Sequence, residues 1–375
     1  MNSTATKTPK KSGRKLGKKL LVSFSSLVIG LGLLEVACRI AGYAPSNDYF
    51  RWMADKQLQI VPMPNQDTWF CKDDPLTGET RLPVRINKYS QRDADYPLAK
   101  GPNELRMIIV GDSLTFGQGV RDDESYTAIL GRLYETEPRS PEPHVINAGV
   151  NGWSTWHYMR WAETQLDKFQ PDVLVVGLFL GNDMVISPPD VKAIPVPLEN
   201  WTRDSALYSY GVEVYRKYLW KRVQASKRGM SLEELDEELE QYKGVIEPDL
   251  QPNERKLLWK KNSIPHLATI RKACEEAHVE VVVLMIPSRA SLLNEKLATK
   301  TVLFHKTLRD MLNAIDLRVI EVAEPLRKAG EAAWLPWDGG HLSPAGNRVV
   351  AKVLEVQLDA LGLVPLPTAP AGGEL

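Results

Sequence analysis

The sequence predicts an α/β domain: a parallel sheet with helices covering both faces. Three observations lead there. From Leu105 onward, short apolar runs alternate with longer segments of helical period. The runs are near-continuous, as in Val173-Leu174-Val175-Val176, which is what strands buried on both faces require. Loops rich in Gly, Asn and Asp follow several of them, at the strand ends where open α/β sheets build ligand sites.

The chain of 375 residues opens on a basic arm, residues 1–19, with Lys7, Lys10, Lys11, Arg14, Lys15, Lys18 and Lys19 and no acid. Overall 47 basic groups balance 47 acidic ones, so the remainder is mildly acidic, which argues against a nucleic-acid partner. Residues 20–34 carry no charge and would make ~22 Å of helix against a hydrocarbon core of ~30 Å. Extended to Ala41 the segment has 22 residues, enough to cross, with Glu35 and Arg39 at i, i+4 placed to pair near the far interface. The expected transmembrane helix is therefore residues 20–41, its lysine-rich flank in the cytoplasm and the body periplasmic or extracellular. A cleaved signal peptide, a lipoprotein site at Cys38 and a buried core helix are the competing readings. No A-x-A arrangement precedes Pro45, Glu35 stands where a lipoprotein site has an aliphatic residue, and seven flanking positive charges disfavour a core helix.

Residues 42–102, rich in Pro, Asp and aromatic side chains, read as a stalk and irregular cap, with a candidate edge strand at 82–87 where Pro83 suits an edge. The main domain, residues 103–361, offers strands at 105–110, 144–147, 172–179, 279–286 and 317–320. Helices are expected at about 124–136, 155–168, 254–277, 301–314 and 344–361. An insertion at about 184–253 interrupts the alternation; Ser231 and Glu234 form a capping box for a charged helix running to about Tyr242. A lid, a substrate-binding subdomain and a decoration are all open for this insertion. Residues 362–375, with Pro365, Pro367 and Pro370, read as a disordered tail. Cys38, Cys71 and Cys274 have neither metal nor redox spacing, and a Cys71–Cys274 pair stays open. No cluster of His, Cys and carboxylates suggests a metal, and nothing requires a cofactor.

Four blocks carry the chemistry. Gly111-Asp112-Ser113-Leu114 follows the apolar run Met107 to Val110 and puts a hydroxyl at a strand-to-helix turn, where a nucleophile belongs. Alone, it reads equally as a helix N-cap. Asn147-Ala148-Gly149-Val150-Asn151-Gly152, Gly181-Asn182-Asp183 and Asp338-Gly339-Gly340-His341 follow in that order, and each alone is ordinary loop punctuation.

As an ordered set these blocks resemble the SGNH hydrolases, also called the GDSL esterase/lipase family, over roughly residues 103–361. The resemblance implies a flavodoxin-like three-layer αβα sandwich on a five-stranded parallel sheet. It implies a nucleophile at Ser113, a base at His341, and Asp338 orienting that base. It also implies an oxyanion hole made of the Ser113 amide, the Gly149 amide and the Asn182 side chain. Residues 85–92 are similar to an element that often precedes the first block in membrane-anchored members.

Elementary chemistry agrees with these assignments. Serine is a poor nucleophile until a base takes its proton, and a developing oxyanion needs donors, each worth ~10²- to 10³-fold in rate. Gly149, without a Cβ, would let substrate approach the backbone closely. Trp153, Trp156, Trp334 and Trp337 lie near the blocks and suggest stacking on sugar rings, although indoles also fill irregular spaces beside loops. The expected function is a membrane-anchored serine esterase acting on a short-chain acyl ester, acetyl included, of a cell-envelope or extracellular polysaccharide. Two others stay open: an O-acyltransferase to carbohydrate, and a non-catalytic membrane-anchored binding or assembly protein, against which the intact Ser113, Asp338 and His341 set argues.

Overall fold

The structure, a computed structural model, describes residues 12–40, 52–71, 81–181, 183, 205–214, 231, 233, 259–293, 295–336 and 340–367. The chain divides into two compact units, residues 1–47 with 197–232, and residues 48–196 with 233–375.

The larger unit begins with two antiparallel hairpins. Strand β1 (Trp52–Asp55) pairs with β2 (Gln59–Pro62), and β3 (Gln66–Cys71) pairs with β4 (Arg81–Ile86). Pro83 sits opposite Trp69 in the second hairpin. A two-stranded ribbon has only edges, so a residue without an N–H is accommodated there. Leu58, Val61, Leu82, Val84 and Ile86 are buried in the same core as the α/β sheet, so both hairpins are packed into the domain.

That sheet holds β5 (Glu104–Gly111), β6 (Glu142–Gly149), β7 (Val173–Phe179), β8 (Glu280–Ile286) and β9 (Arg318–Glu321), in the order β6-β5-β7-β8-β9 and parallel throughout. Ile108, Val110, Leu174, Val176 and Val283 face helices Thr155–Phe169, Ile264–Glu276 and Glu295–Asn313. Met107, Ile109, Val175, Val282 and Leu284 face helices Tyr126–Glu135, Ala323–Ala329 and Pro344–Ala360. The three-layer sandwich expected from the sequence is thus the observed one. The chain runs from β5 out to β6 and returns across β5 to β7, so the carboxyl ends of these three strands flank the topological switch point.

Several details differ from the sequence reading. Helix Ile264–Glu276 is preceded by a π-helical turn, Trp259–Ser263, and the next long helix starts earlier than expected, at Glu295. Leu363 and Val364 are buried against the sheet, and Arg139 donates to the Pro365 carbonyl, so the tail read as disordered from 362 is packed over its first residues. Hydrophobic burial of those two side chains outweighs the proline-rich composition that follows them. Cys274 is a free thiol that burial pushes up to about 12. The charged helix expected from Ser231 to Tyr242 lies, apart from Ser231 and Glu233, outside the described residues.

In the smaller unit, helix Ser12–Ile40 contains a stretch, Lys18–Ile40, long and apolar enough to cross a membrane. Its Leu20, Val22, Phe24 and Ile29 side chains are exposed. Arg39 Nε donates to Glu35 Oε1 at 2.8 Å, the pairing that the i, i+4 spacing suggested. Glu35 has a second task with no trace in the local sequence. Its carboxylate accepts from Ser205 Oγ at 2.9 Å, Ala206 N at 2.9 Å and Leu207 N at 2.8 Å, capping helix Ala206–Val214 from the insertion. An anion there satisfies donors that a helix start otherwise leaves without partners.

Helix Thr155–Phe169 starts on a titratable contact. Ser154 N donates to His157 Nδ1 at 3.1 Å, so that nitrogen must be unprotonated, and the buried ring stacks on Trp153 with centroids 5.7 Å apart. Burial pushes His157 down from 6.5 to about 4. The unfolded chain therefore binds the proton first, and this stabilisation is lost as pH falls through the window from 6.5 to about 4. His157→Gln, whose amide oxygen accepts without titrating, should flatten that part of the acid limb in urea unfolding measured across this range. An unchanged difference between wild type and variant at pH 7 and at pH 4 would rule out the linkage.

Candidate active site

Strand β5 ends at Gly111, and Asp112 caps a one-turn helix, Ser113–Phe116, by accepting from Leu114 N at 2.9 Å. The cap role thus falls to Asp112 and leaves the Ser113 hydroxyl available. His341 Nε2 lies 2.8 Å from Ser113 Oγ, so the first and last blocks meet across 228 residues of sequence.

The turn that carries Ser113 rests on a row of glycines. Gly111 on β5 is in register with Gly149 on β6 and Gly177 on β7. A Cβ at Gly111 would fall 1.9 Å from Thr115 Oγ1, one at Gly149 2.5 Å from Phe116 N, and one at Gly177 2.4 Å from Thr115 Oγ1. Separations that short are impossible, so the helix can lie on the sheet only because three adjacent strands present bare backbone. Thr115 Oγ1 is then 2.7 Å from the Tyr126 hydroxyl beneath it.

This gives Gly149 a different physical role from the one its sequence suggested. Its missing side chain makes room for helix Ser113–Phe116, and its N–H donates to Asn147 Oδ1 at 3.0 Å. Gly152, three residues on, is exposed with φ +79°, and nothing lies within 4 Å of where its Cβ would stand. The loop carrying it is held by Asn151 Nδ2 donating to Gln118 Oε1 at 2.9 Å and by Trp153 Nε1 donating to the Ile60 carbonyl at 3.1 Å.

His341 sits in a loop closed on itself. Trp334 and Leu342 form an antiparallel bridge, Leu335 N donates to the His341 carbonyl at 2.9 Å, and Ser343 caps helix Pro344–Ala360 by accepting from Gly346 N at 3.1 Å. Asn347, buried at the start of that helix, donates to the Leu342 carbonyl at 3.2 Å and the Ser343 carbonyl at 3.0 Å, and accepts from Tyr126 N at 2.9 Å. Asp338 and Asn182, the other two expected site residues, lie outside the described residues, as does Trp337. Asp183, beside Asn182, is buried and accepts from Phe179 N at 2.7 Å and from the Tyr158 hydroxyl at 2.9 Å. Burial, and then the charge of Asp112, hold its carboxyl well above the usual carboxylate range.

The sugar-stacking expectation loses two of its four indoles. Trp153 and Trp334 are each 2% exposed and fill the core, whereas Trp156 is half-buried with its ring edge-on to His157. A cavity of about 320 Å³ lies under the first hairpin, lined by Leu58, Tyr89, Trp153, Trp161 and Phe169 among others, and neither Ser113 nor His341 borders it. Asn347 was missed in the sequence because its side chain bonds to backbone groups, and a small polar residue at a helix start is too common to signal that.

The model of the GDSL-like lipase/acylhydrolase family matches residues 109–349. No curated protein matches the chain. Among solved structures it is similar to TesA at 14% identity, with a TM-score of 0.42 and coverage of 68% of this chain and 99% of that one. It is similar to the psychrotrophic esterase EstA from Pseudoalteromonas sp. at 12% identity, with a TM-score of 0.40 and coverage of 69% and 99%. A catalytic mutant of Axe2, an acetylxylan esterase from Geobacillus stearothermophilus, shows 11% identity, a TM-score of 0.40 and coverage of 71% and 97%.

Gly149→Ala forces a methyl group into the backbone of the nucleophile turn and should lower unfolding free energy by about 1–3 kcal/mol, as overpacking does. Urea denaturation checks this. An unchanged midpoint would mean that the turn does not lean on the glycine row.

Proposed function

Because the chain belongs to the GDSL-like lipase/acylhydrolase family, we propose that it is a serine esterase in which Ser113 attacks an acyl ester with His341 as base. The observation that carries this reading is the 2.8 Å separation of His341 Nε2 and Ser113 Oγ, within the reach a general base needs. As Ser113 Oγ bonds to the carbonyl carbon, its proton passes to His341 Nε2, and Asp338 orients the imidazole and stabilises its cation. His341 then protonates the departing alcohol. A water molecule then attacks the acyl-enzyme carbonyl as it gives a proton to the same histidine; the bond to Ser113 Oγ breaks, His341 returns that proton to Oγ, and the acid leaves.

For the oxyanion we propose the Ser113 amide, the Asn182 side chain and the amide of Gly152 in place of that of Gly149. The exchange is favoured because the Gly149 N–H is already engaged by Asn147, whereas Gly152 lies exposed on a loop braced to both the nucleophile turn and the first hairpin. The apolar stretch Lys18–Ile40 and the positive charges before it support a membrane-anchored enzyme with its N-terminus cytoplasmic. Short-chain esters of cell-envelope or extracellular polysaccharides are then the substrates within its reach.

Full-length protein in detergent, given a short-chain aryl ester with and without a sugar acceptor, tests this. Ser113→Ala should lower kcat by about 10³-fold or more with an unaltered thermal unfolding midpoint, and Asn182→Ala should lower it by about 10²- to 10³-fold. Full activity in Ser113→Ala would sink the mechanism, and accumulation of acylated sugar would make the enzyme a transferase.

A further inference from the structure

Arg92 lies outside the four blocks, in the segment before β5, yet its side chain is only 1% exposed and reaches the nucleophile turn. Its Nη1 donates to the carbonyl of Phe116 at 3.0 Å and to that of Gly117, its Nη2 to that of Val120 at 2.7 Å, and its Nε to Asp122 Oδ1 at 2.8 Å. The guanidinium also lies over the Phe116 ring, 5.1 Å from its centroid. Asp122 in turn accepts from Arg85 N at 3.0 Å, which ties the cluster to β4.

Helix Ser113–Phe116 is four residues long and needs such support. One turn has too few internal hydrogen bonds to hold itself, and its last carbonyls have no partners within it. Gly117 N and Gln118 N both donate to the Ser113 carbonyl, at 3.1 Å and 3.0 Å. The turn that clamps the serine peptide is therefore the same turn whose carbonyls Arg92 gathers. A positive charge at this end also complements the helix dipole. Gly117 has φ +83°, and a Cβ there would stand 3.1 Å from Arg92 Nη1 and 2.9 Å from Ser125 Cβ, so glycine and guanidinium are fitted to one another.

From this geometry we propose that Arg92 is a positioning residue for the esterase reaction, fixing Ser113 Oγ against His341 by holding the carbonyls that follow the nucleophile helix. The proposal rests on Ser113 being the nucleophile. Arg92 touches no reacting atom. Its planar fork serves three carbonyls and a carboxylate together, which the single ammonium of lysine does not.

The test uses the full-length protein and three variants, Arg92→Lys, Asp122→Asn and Ser113→Ala. The rate of labelling of Ser113 by a fluorophosphonate is measured alongside kcat and KM for a short-chain aryl ester, with rates counted per labelled site so that unfolded molecules drop out. Arg92→Lys should slow both labelling and kcat by about 10- to 100-fold, the cost of misplacing a reacting group by about an ångström, with KM changed by no more than about twofold. Asp122→Asn keeps Arg92 but neutralises one partner, and should slow both by about two- to tenfold even if the lysine variant fails to fold. Wild-type rates per site, accompanied only by a lower melting temperature, would make Arg92 a core residue and overturn the proposal. Absence of Ser113 labelling in the wild type would overturn the nucleophile assignment itself, and the role of Arg92 with it.

Discussion

Three missing Cβ atoms set the geometry of the site. Gly149, Gly111 and Gly177 stand side by side across β6, β5 and β7, and helix Ser113–Phe116 lies directly on them. A methyl group on any one would collide with Thr115 or Phe116 at 2.5 Å or less. The parallel register is what aligns them, so sheet pairing far from the chemistry determines the height of Ser113 above the sheet. Asp112 at one end and Arg92 at the other then prevent the turn from sliding on this floor.

The two halves of the Ser113–His341 pair also share a strut. Thr115, two residues after Ser113, bonds to the Tyr126 hydroxyl, and the backbone of the same tyrosine bonds to Asn347, which holds the carbonyl of Leu342 next to His341. Ser113 and His341 are therefore referenced to one buried tyrosine. In a low-dielectric interior such a chain of satisfied polar groups is stiff, and leaving any member unpaired is costly. That shared reference explains how residues so far apart in sequence come within hydrogen-bond distance.

Much of this was legible in the sequence, for identifiable reasons. The three central strands declared themselves because burial on both faces demands near-continuous apolar runs, visible locally in Met107 to Val110 and in Val173 to Val176. Ser113 and His341 were legible because their blocks stand in a recognisable order. Arg92 was not, since three of its acceptors are backbone carbonyls, which look alike at every position in a sequence. The packing role of Gly149 was not legible, because only the fold shows that Phe116 lies against it. For Trp153 and Trp334 sugar stacking and space filling were both open, and only the fold shows their depth, which for Trp153 involves an element as distant as Ile60.

Glu35 ties the apolar N-terminal helix to the insertion. A shortened chain that began beyond that helix would lose the carboxylate that receives the Ser205 hydroxyl and the Ala206 and Leu207 amides, leaving helix Ala206–Val214 without its cap. Part of the insertion thus depends for its own order on a residue more than 160 positions earlier. The first helix is a structural partner of the insertion, and removing it takes away an acceptor as well as an apolar segment.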